Sequence, residues 1–166
     1  QGVGGLGHLG IQYAKRLGFF TVALSGGPDK KELARELGAD RYIDTGSEDP
    51  ASELMKLGGA RVILATAPDS GRMSRVIEGL SVNGRLIVVG VSPDPIEVSP
   101  LKLIGKRRSV QGWPYGHAGD SEDTLRFSNL SGVRARVETF PLERAAAAYE
   151  RMMANETRFR AVLTME

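Results

Sequence analysis

Gln1-Gly2-Val3-Gly4-Gly5-Leu6-Gly7 opens the chain, and Leu9, Ile11, Tyr13, Ala14 and Leu17 succeed it at roughly helical spacing before Gly18 stops the pattern. Gly2, Gly4 and Gly7 stand in a G-x-G-x-x-G arrangement. In such a loop the first glycine permits a tight turn out of a strand. The second lets the backbone approach an anion, and the third lets the helix pack close to the sheet. The amides at the helix start point at that anion, helped by the helix dipole. Glycine-rich loops also occur in plain turns and in methyltransferases, so the meaning of this one depends on the elements downstream of it.

Downstream runs a strand–helix rhythm. Phe19–Leu24 reads as a short buried strand, broken by Gly26-Gly27-Pro28. Asp29 is placed to cap a helix that runs through Leu33 and Leu37 to a stop at Gly38. Arg41–Asp44 reads as a strand, Ser47–Leu57 as a helix, Val62–Ala65 as a strand, Asp69–Leu80 as a helix, and Leu86–Val91 as a strand with no polar face. Apolar strands alternating with helices predict an α/β fold, a doubly wound parallel sheet of the Rossmann type covered on both faces. The proline-containing stretch Ser92–Pro100 reads as a loop. Ser109–Trp113 then reads as a strand, Asp120–Leu130 as a helix capped by Asp120 or Ser121, Arg134–Phe140 as a strand, Leu142–Met153 as a helix and Phe159–Met165 as a final strand. His8 is expected to be packed on its helix, His117 to be a loop residue, and Met152 and Met153 to lie in the core. Residues 1–113 are expected to form the dinucleotide-binding unit, and 114–166 a helix, strand, helix, strand segment packing on it. A loop of this kind normally comes after a strand, so Gln1 reads as the last residue of one, and the sheet is expected to be truncated at its first strand.

Composition narrows the function. The chain has 166 residues, enough for one ordinary domain, and a formal charge of +2 spread along it. Nucleic acid recognition would need a basic stripe or cluster. No apolar run approaches the ~18 residues of a membrane span. Neither nucleic acid nor a membrane is the expected partner, and the expected location is cytoplasmic. There is no cysteine, and His8 and His117 are the two histidines. Disulfides, thiolate nucleophiles and zinc–thiolate sites are excluded, and zinc is not expected to bind this chain.

The end of the second strand carries the cofactor signal. An NAD site usually places Asp or Glu there, about 20 residues past the loop, to hold the ribose hydroxyls. Here the position falls at Ser25, with Gly26 and Gly27 after it, and no carboxylate comes before Asp29. A small hydroxyl leaves room for a 2′-phosphate, with Lys30 or Lys31 able to pair with it. This favours NADP over NAD, and the loop in its strand–helix context favours dinucleotide binding over a structural turn.

Gly4-Gly5-Leu6-Gly7-His8-Leu9-Gly10-Ile11-Gln12-Tyr13-Ala14-Lys15 resembles the cofactor loop of the medium-chain zinc-dependent alcohol dehydrogenases, within them the cinnamyl-alcohol-dehydrogenase-like branch. Leu37-Gly38-Ala39-Asp40, Gly84-Arg85-Leu86-Ile87-Val88-Val89-Gly90-Val91 and Phe159-Arg160-Ala161-Val162-Leu163 also match, so the resemblance runs the length of the chain. It implies hydride transfer between a nicotinamide dinucleotide and an alcohol or aldehyde, with a catalytic zinc held in an N-terminal domain that this sequence does not include. It also implies roles for individual residues. Gly4, Gly5 and Leu6 would contact the pyrophosphate through their backbone, and Arg160 would reach it. Ser25, Gly26 and Lys30 match the 2′-phosphate site, where Gly26 departs from the arginine often found in that branch. Thr66, Gly90 and Val91 would lie beside the nicotinamide, and Gly112 and Trp113 would flank its carboxamide. A homodimer or tetramer joined through residues 96–113 is expected, by resemblance and because an open apolar edge strand invites pairing. The alternatives are a zinc-free quinone or enoyl reductase of the same superfamily and a non-catalytic dinucleotide-binding module.

Overall fold

The computed structural model describes residues 1–165. Seven strands and seven helices succeed one another in it. In the first sheet β1 (Val22–Ser25) and β2 (Arg41–Asp44) pair in parallel, with Val22 opposite Arg41 and Ser25 opposite Asp44. β3 (Ala60–Ala65), β4 (Leu80–Val88) and β5 (Ser109–Gly112) form a second parallel sheet in that order. β6 (Val137–Pro141) and β7 (Arg160–Thr164) form a third, also parallel. Parallel neighbours need crossover connections. Helices supply several of them: α1 (Gly7–Arg16) precedes β1, and α2 (Lys31–Glu36), α3 (Pro50–Lys56) and α4 (Ser70–Val76) separate the next strands. α5 (Pro100–Ile104), α6 (Ala118–Ser131) and α7 (Ala145–Met153) complete the chain.

The first two sheets meet through two residues. The Gln1 amino group donates to Leu64 O at 2.7 Å, and Thr66 N–H donates to Gln1 O at 2.9 Å. On the other side Gly2 N–H donates to Leu24 O at 2.9 Å. Gln1 and Gly2 thus stand as a strand end between β1 and β3, as expected from the sequence.

Two apolar clusters cover opposite faces. Leu24, Ile43, Leu54, Ile63, Met73, Ile77, Leu80 and Leu86 make the larger one. Val3, Ile11, Ala23, Ala34, Leu37 and Phe159 make the other. Ala23 and Leu24 are neighbours in β1 yet belong to different clusters, because successive strand side chains point to opposite faces. Each Leu or Ile buried in this way contributes roughly 1.5–3 kcal/mol. The Leu37-Gly38-Ala39-Asp40 motif has a packing reason. Asp40 accepts from Lys15 Nζ at 2.6 Å and from Thr21 N–H at 2.8 Å, tying the end of α1 to the start of β1.

Several elements differ from their expected bounds, each for a local reason. The first strand begins at Val22 rather than Phe19. Its partner β2 reaches back only to Arg41, while Phe19 N–H still bonds Ala14 O, leaving Phe19 and Phe20 exposed. α2 has Lys30 at its N-cap with no side-chain bond, so Asp29 does not cap it. α3 starts at Pro50, where Asp49 caps it by accepting from Ser52 N–H, rather than at Ser47. The LIVVGV strand starts early, at Leu80, and ends at Val88. The N–H groups of Val89 and Gly90 both turn to Ala65 O, which leaves Val91 exposed. Pro100–Ile104 is a short helix that begins at the last residue of the stretch read as a loop. His117 is not a plain loop residue. It caps α6 reciprocally: Asp120 N–H donates to its ring, and its own N–H donates to the Asp120 carboxylate. Met152 and Met153, in the last turn of α7, are exposed at 47% and 66% and are not core residues; the buried residue of this helix is Ala148.

A candidate dinucleotide site at the glycine loop

Gly2 turns the chain out of its strand position with φ +99°, a left-handed conformation that favours glycine. A Cβ there would lie 2.7 Å from Thr66 Oγ1 and 2.9 Å from Ala67 N. Gly7 opens α1 against the loop, and a Cβ on it would fall 1.9 Å from Gly2 O. Between them Gly4 faces open space, with nothing within 4 Å of its Cβ position. The three glycines therefore divide the work as their spacing implies: turn, approach and close helix packing. The open place at Gly4, before the start of the ten-residue α1, is the cradle a pyrophosphate needs. Leu6 is the N-cap of α1 and is half exposed beside it. Arg160, at the start of β7, reaches the same loop: its Nη1 lies 3.0 Å from the Cβ position of Gly5.

Thr66 directly follows β3 and ties the loop to it. Its hydroxyl lies 3.0 Å from Gln1 O and 3.2 Å from Gly2 O, and donates to these carbonyls. Gly90 comes just after β4, close against Ala67, where a Cβ would meet Ala67 O at 2.6 Å. Gly112 ends β5 opposite Val88, and Trp113 N–H donates to Val88 O at 2.9 Å. Thr66, Gly90, Val91, Gly112 and Trp113 therefore all sit at the C-terminal edge of one parallel sheet, where ligands of such folds bind. Val91 and Trp113 are 88% and 55% exposed.

Ser25 is buried at the end of β1, with no acidic residue at its own position or the next two. Gly26 borders the turn beyond it, and Lys30 is half-buried a few residues on. Burial holds the Lys30 ammonium below its ordinary pKa, and the charges of Arg158 and Arg72 push the same way. The residues that shape this turn were not evident from the sequence. Asp44, at the end of β2, accepts from Gly27 N–H at 2.7 Å and Gly46 N–H at 2.9 Å. Those bonds, led by that of Gly46, hold its carboxyl below the usual carboxylate range. Tyr42 Oη donates to Gly27 O at 2.6 Å. No local period marks these two side chains as loop supports; they become visible only when β2 is laid beside β1.

His8 is a second support that the sequence placed but did not explain. It is fully buried and stacked on Phe159, with ring centroids 4.6 Å apart. Nδ1 lies 3.1 Å from Gly4 O, and Arg136 N–H donates to Nε2 at 3.1 Å. A ring that donates from Nδ1 and accepts at Nε2 is neutral. Burial accordingly lowers its pKa, with the charges of Arg160 and Arg136 adding to the effect. The imidazole couples the glycine loop to the C-terminal segment.

Among the described residues no three His, Asp or Glu side chains gather where they could hold a metal ion. Both ring nitrogens of His8 are engaged, and His117 is committed to its cap. The described residues thus do not fit a zinc site, whereas the glycine loop and the sheet edge fit a dinucleotide. No helix among them is long and apolar enough to cross a membrane.

Comparison with known proteins agrees with the fold. The family described as zinc-binding dehydrogenase matches residues 5–129. The chain belongs to that family. Relatives named alcohol dehydrogenase match it along nearly its whole length. The alcohol dehydrogenase patD of Penicillium expansum is 48% identical over 165 residues, covering 99% of this chain and 48% of that protein. The probable cinnamyl alcohol dehydrogenase 2 of Picea abies is 33% identical, over 98% of this chain and 45% of that protein. Among solved structures, the alcohol dehydrogenase of Aeropyrum pernix superimposes with a TM-score of 0.88 at 28% identity, over 98% of this chain and 48% of that one. The cinnamyl alcohol dehydrogenase SbCAD4 of Sorghum bicolor gives 0.87 at 28%, over 99% and 48%. The chain spans about half the length of the curated relatives it matches.

Proposed function

We propose that this chain is the cofactor-binding part of an oxidoreductase that moves a hydride between NADP(H) and an alcohol or aldehyde. The observation that carries the reading is the glycine loop itself: an open approach at Gly4, at the sheet's C-terminal edge, beside a β1 end that offers Ser25 and no carboxylate. In this reading the dinucleotide supplies the hydride chemistry. The backbone of Gly2, Gly4, Gly5 and Leu6 receives the pyrophosphate, with Arg160 closing over it. Ser25, Gly26 and Lys30 accommodate the 2′-phosphate. Thr66, Gly90, Val91, Gly112 and Trp113 line the nicotinamide end. Residues 1–113 act as the binding domain and 114–166 brace it, through His8 and Phe159 above all. Any catalytic zinc would be held by residues outside this chain. The alcohol dehydrogenase names of the relatives support the substrate class. A cytoplasmic homodimer or tetramer joined through residues 96–113 completes the proposal, supported by the open edge of β5. Fluorescence titration of the full-length protein with NADPH and NADH tests the cofactor: tighter NADPH binding is expected, and tighter NADH binding refutes it.

A further inference from the structure

The end of β1 faces a cation that comes from another strand–helix unit. Arg72 stands in the first turn of α4. Its Nη1 and Nη2 both lie 3.7 Å from the point where a Cβ on Gly26 would sit. Its Nε is paired with Asp69 Oδ2 at 3.0 Å. That pairing sets the plane of the guanidinium and leaves the two outer nitrogens side by side toward the Gly26 turn. A planar fork presented in this way matches the oxygens of a phosphate.

Two further cations, Lys30 and Arg158, stand near Arg72, with the carboxylates of Asp29, Asp44 and Asp69 around the same turn. Lys30 lies close enough to Arg72 and Arg158 for both to disfavour its own charge, and Asp29 opposes them more weakly. The Asp44 carboxylate is held by the Gly27 and Gly46 amides. Like charges gathered at one turn cost free energy that an anion placed among them removes. Gly26 contributes no side chain, so the space above the turn is open to Arg72.

The geometry points to Arg72 as the residue that selects a 2′-phosphorylated adenosine, gripping the phosphate from α4 while Ser25 and Lys30 hold it from β1 and the turn. This inference rests on the NADP(H) reading above and adds the residue that sequence order hides.

The test uses the full-length protein with Arg72→Met, which keeps length and removes charge, and Arg72→Gln, which keeps polarity, as a second variant should the first fold poorly. NADPH, NADH, adenosine 2′,5′-bisphosphate and AMP are titrated by fluorescence or calorimetry. Loss of one partly exposed charge-assisted contact should weaken the two 2′-phosphorylated ligands about tenfold and leave NADH and AMP within about twofold. Unchanged binding of NADH also reports that the fold is intact. An NADPH preference that survives both substitutions, or an equal loss for all four ligands, overturns the role of Arg72. Wild-type protein that binds NADH as tightly as NADPH overturns the cofactor reading instead, so the two failures are distinct.

Discussion

Replacing His8 with Ala should loosen the join between the glycine loop and the C-terminal segment. The ring is fully buried, so nothing in the native state replaces it cheaply. Arg136 N–H loses its acceptor at 3.1 Å, which costs about 1–3 kcal/mol if no water fills the space. The stack on Phe159 at 4.6 Å is worth about 0.5–1.5 kcal/mol more. Gly4 O keeps its bond from the His8 backbone N–H at 3.0 Å, so the loss of Nδ1 adds little. The sum is about 1.5–4.5 kcal/mol. His8→Phe retains an aromatic face without the acceptor and should lose only the first part. Urea unfolding of the full-length protein, with hydrogen exchange at the Arg136 amide as the local probe, measures both. The pH dependence rests on the lowered pKa of His8. Above the unfolded value of about 6.5 the ring is neutral in both states and the contact is at full strength. As pH falls below that value the unfolded chain takes up a proton that the folded ring resists, so stability drops toward the lower folded pKa. His8→Phe should remove that part of the decline as pH falls below about 6.5. An Ala variant within about 0.5 kcal/mol of wild type, with Arg136 still protected, would refute the coupling.

Gly7→Ala should abolish dinucleotide binding, since its Cβ would sit 1.9 Å from Gly2 O and α1 would have to withdraw; retained affinity in a titration would show that the loop has slack. Ser25→Asp should cut NADPH affinity at least about tenfold and spare NADH, because a carboxylate at a buried strand end would face the 2′-phosphate; equal binding of both by calorimetry would contradict the site. Val110→Pro should shift a dimer toward monomer in sedimentation. Trp113 N–H bonds inward to Val88 O, so alternation along β5 turns the Val110 N–H to the open edge. An unchanged sedimentation coefficient would place the interface elsewhere.

The strand–helix alternation, the turn at Gly2 and the close packing at Gly7 could be read from the chain because they depend on local chemistry. Apolar runs too short for helices, glycine spacing and helix periods act within a few residues of themselves. The absence of a carboxylate at Ser25 was legible for the same reason. Element ends were less so: where β1 begins depends on how far β2 runs beside it, and where β4 ends depends on Val89 and Gly90 finding Ala65 O. His117 read as loop because its cap partner, Asp120, matters only once α6 forms. What tertiary structure alone decided are the contacts between residues far apart in the chain. Arg72 faces Gly26 and Asp44 holds Gly27 because parallel strands bring the ends of separate units to one edge, and Arg136 reaches His8 from the segment just before β6. A sequence encodes each residue's chemistry, but the partner that chemistry meets across the sheet is set by strand order and register.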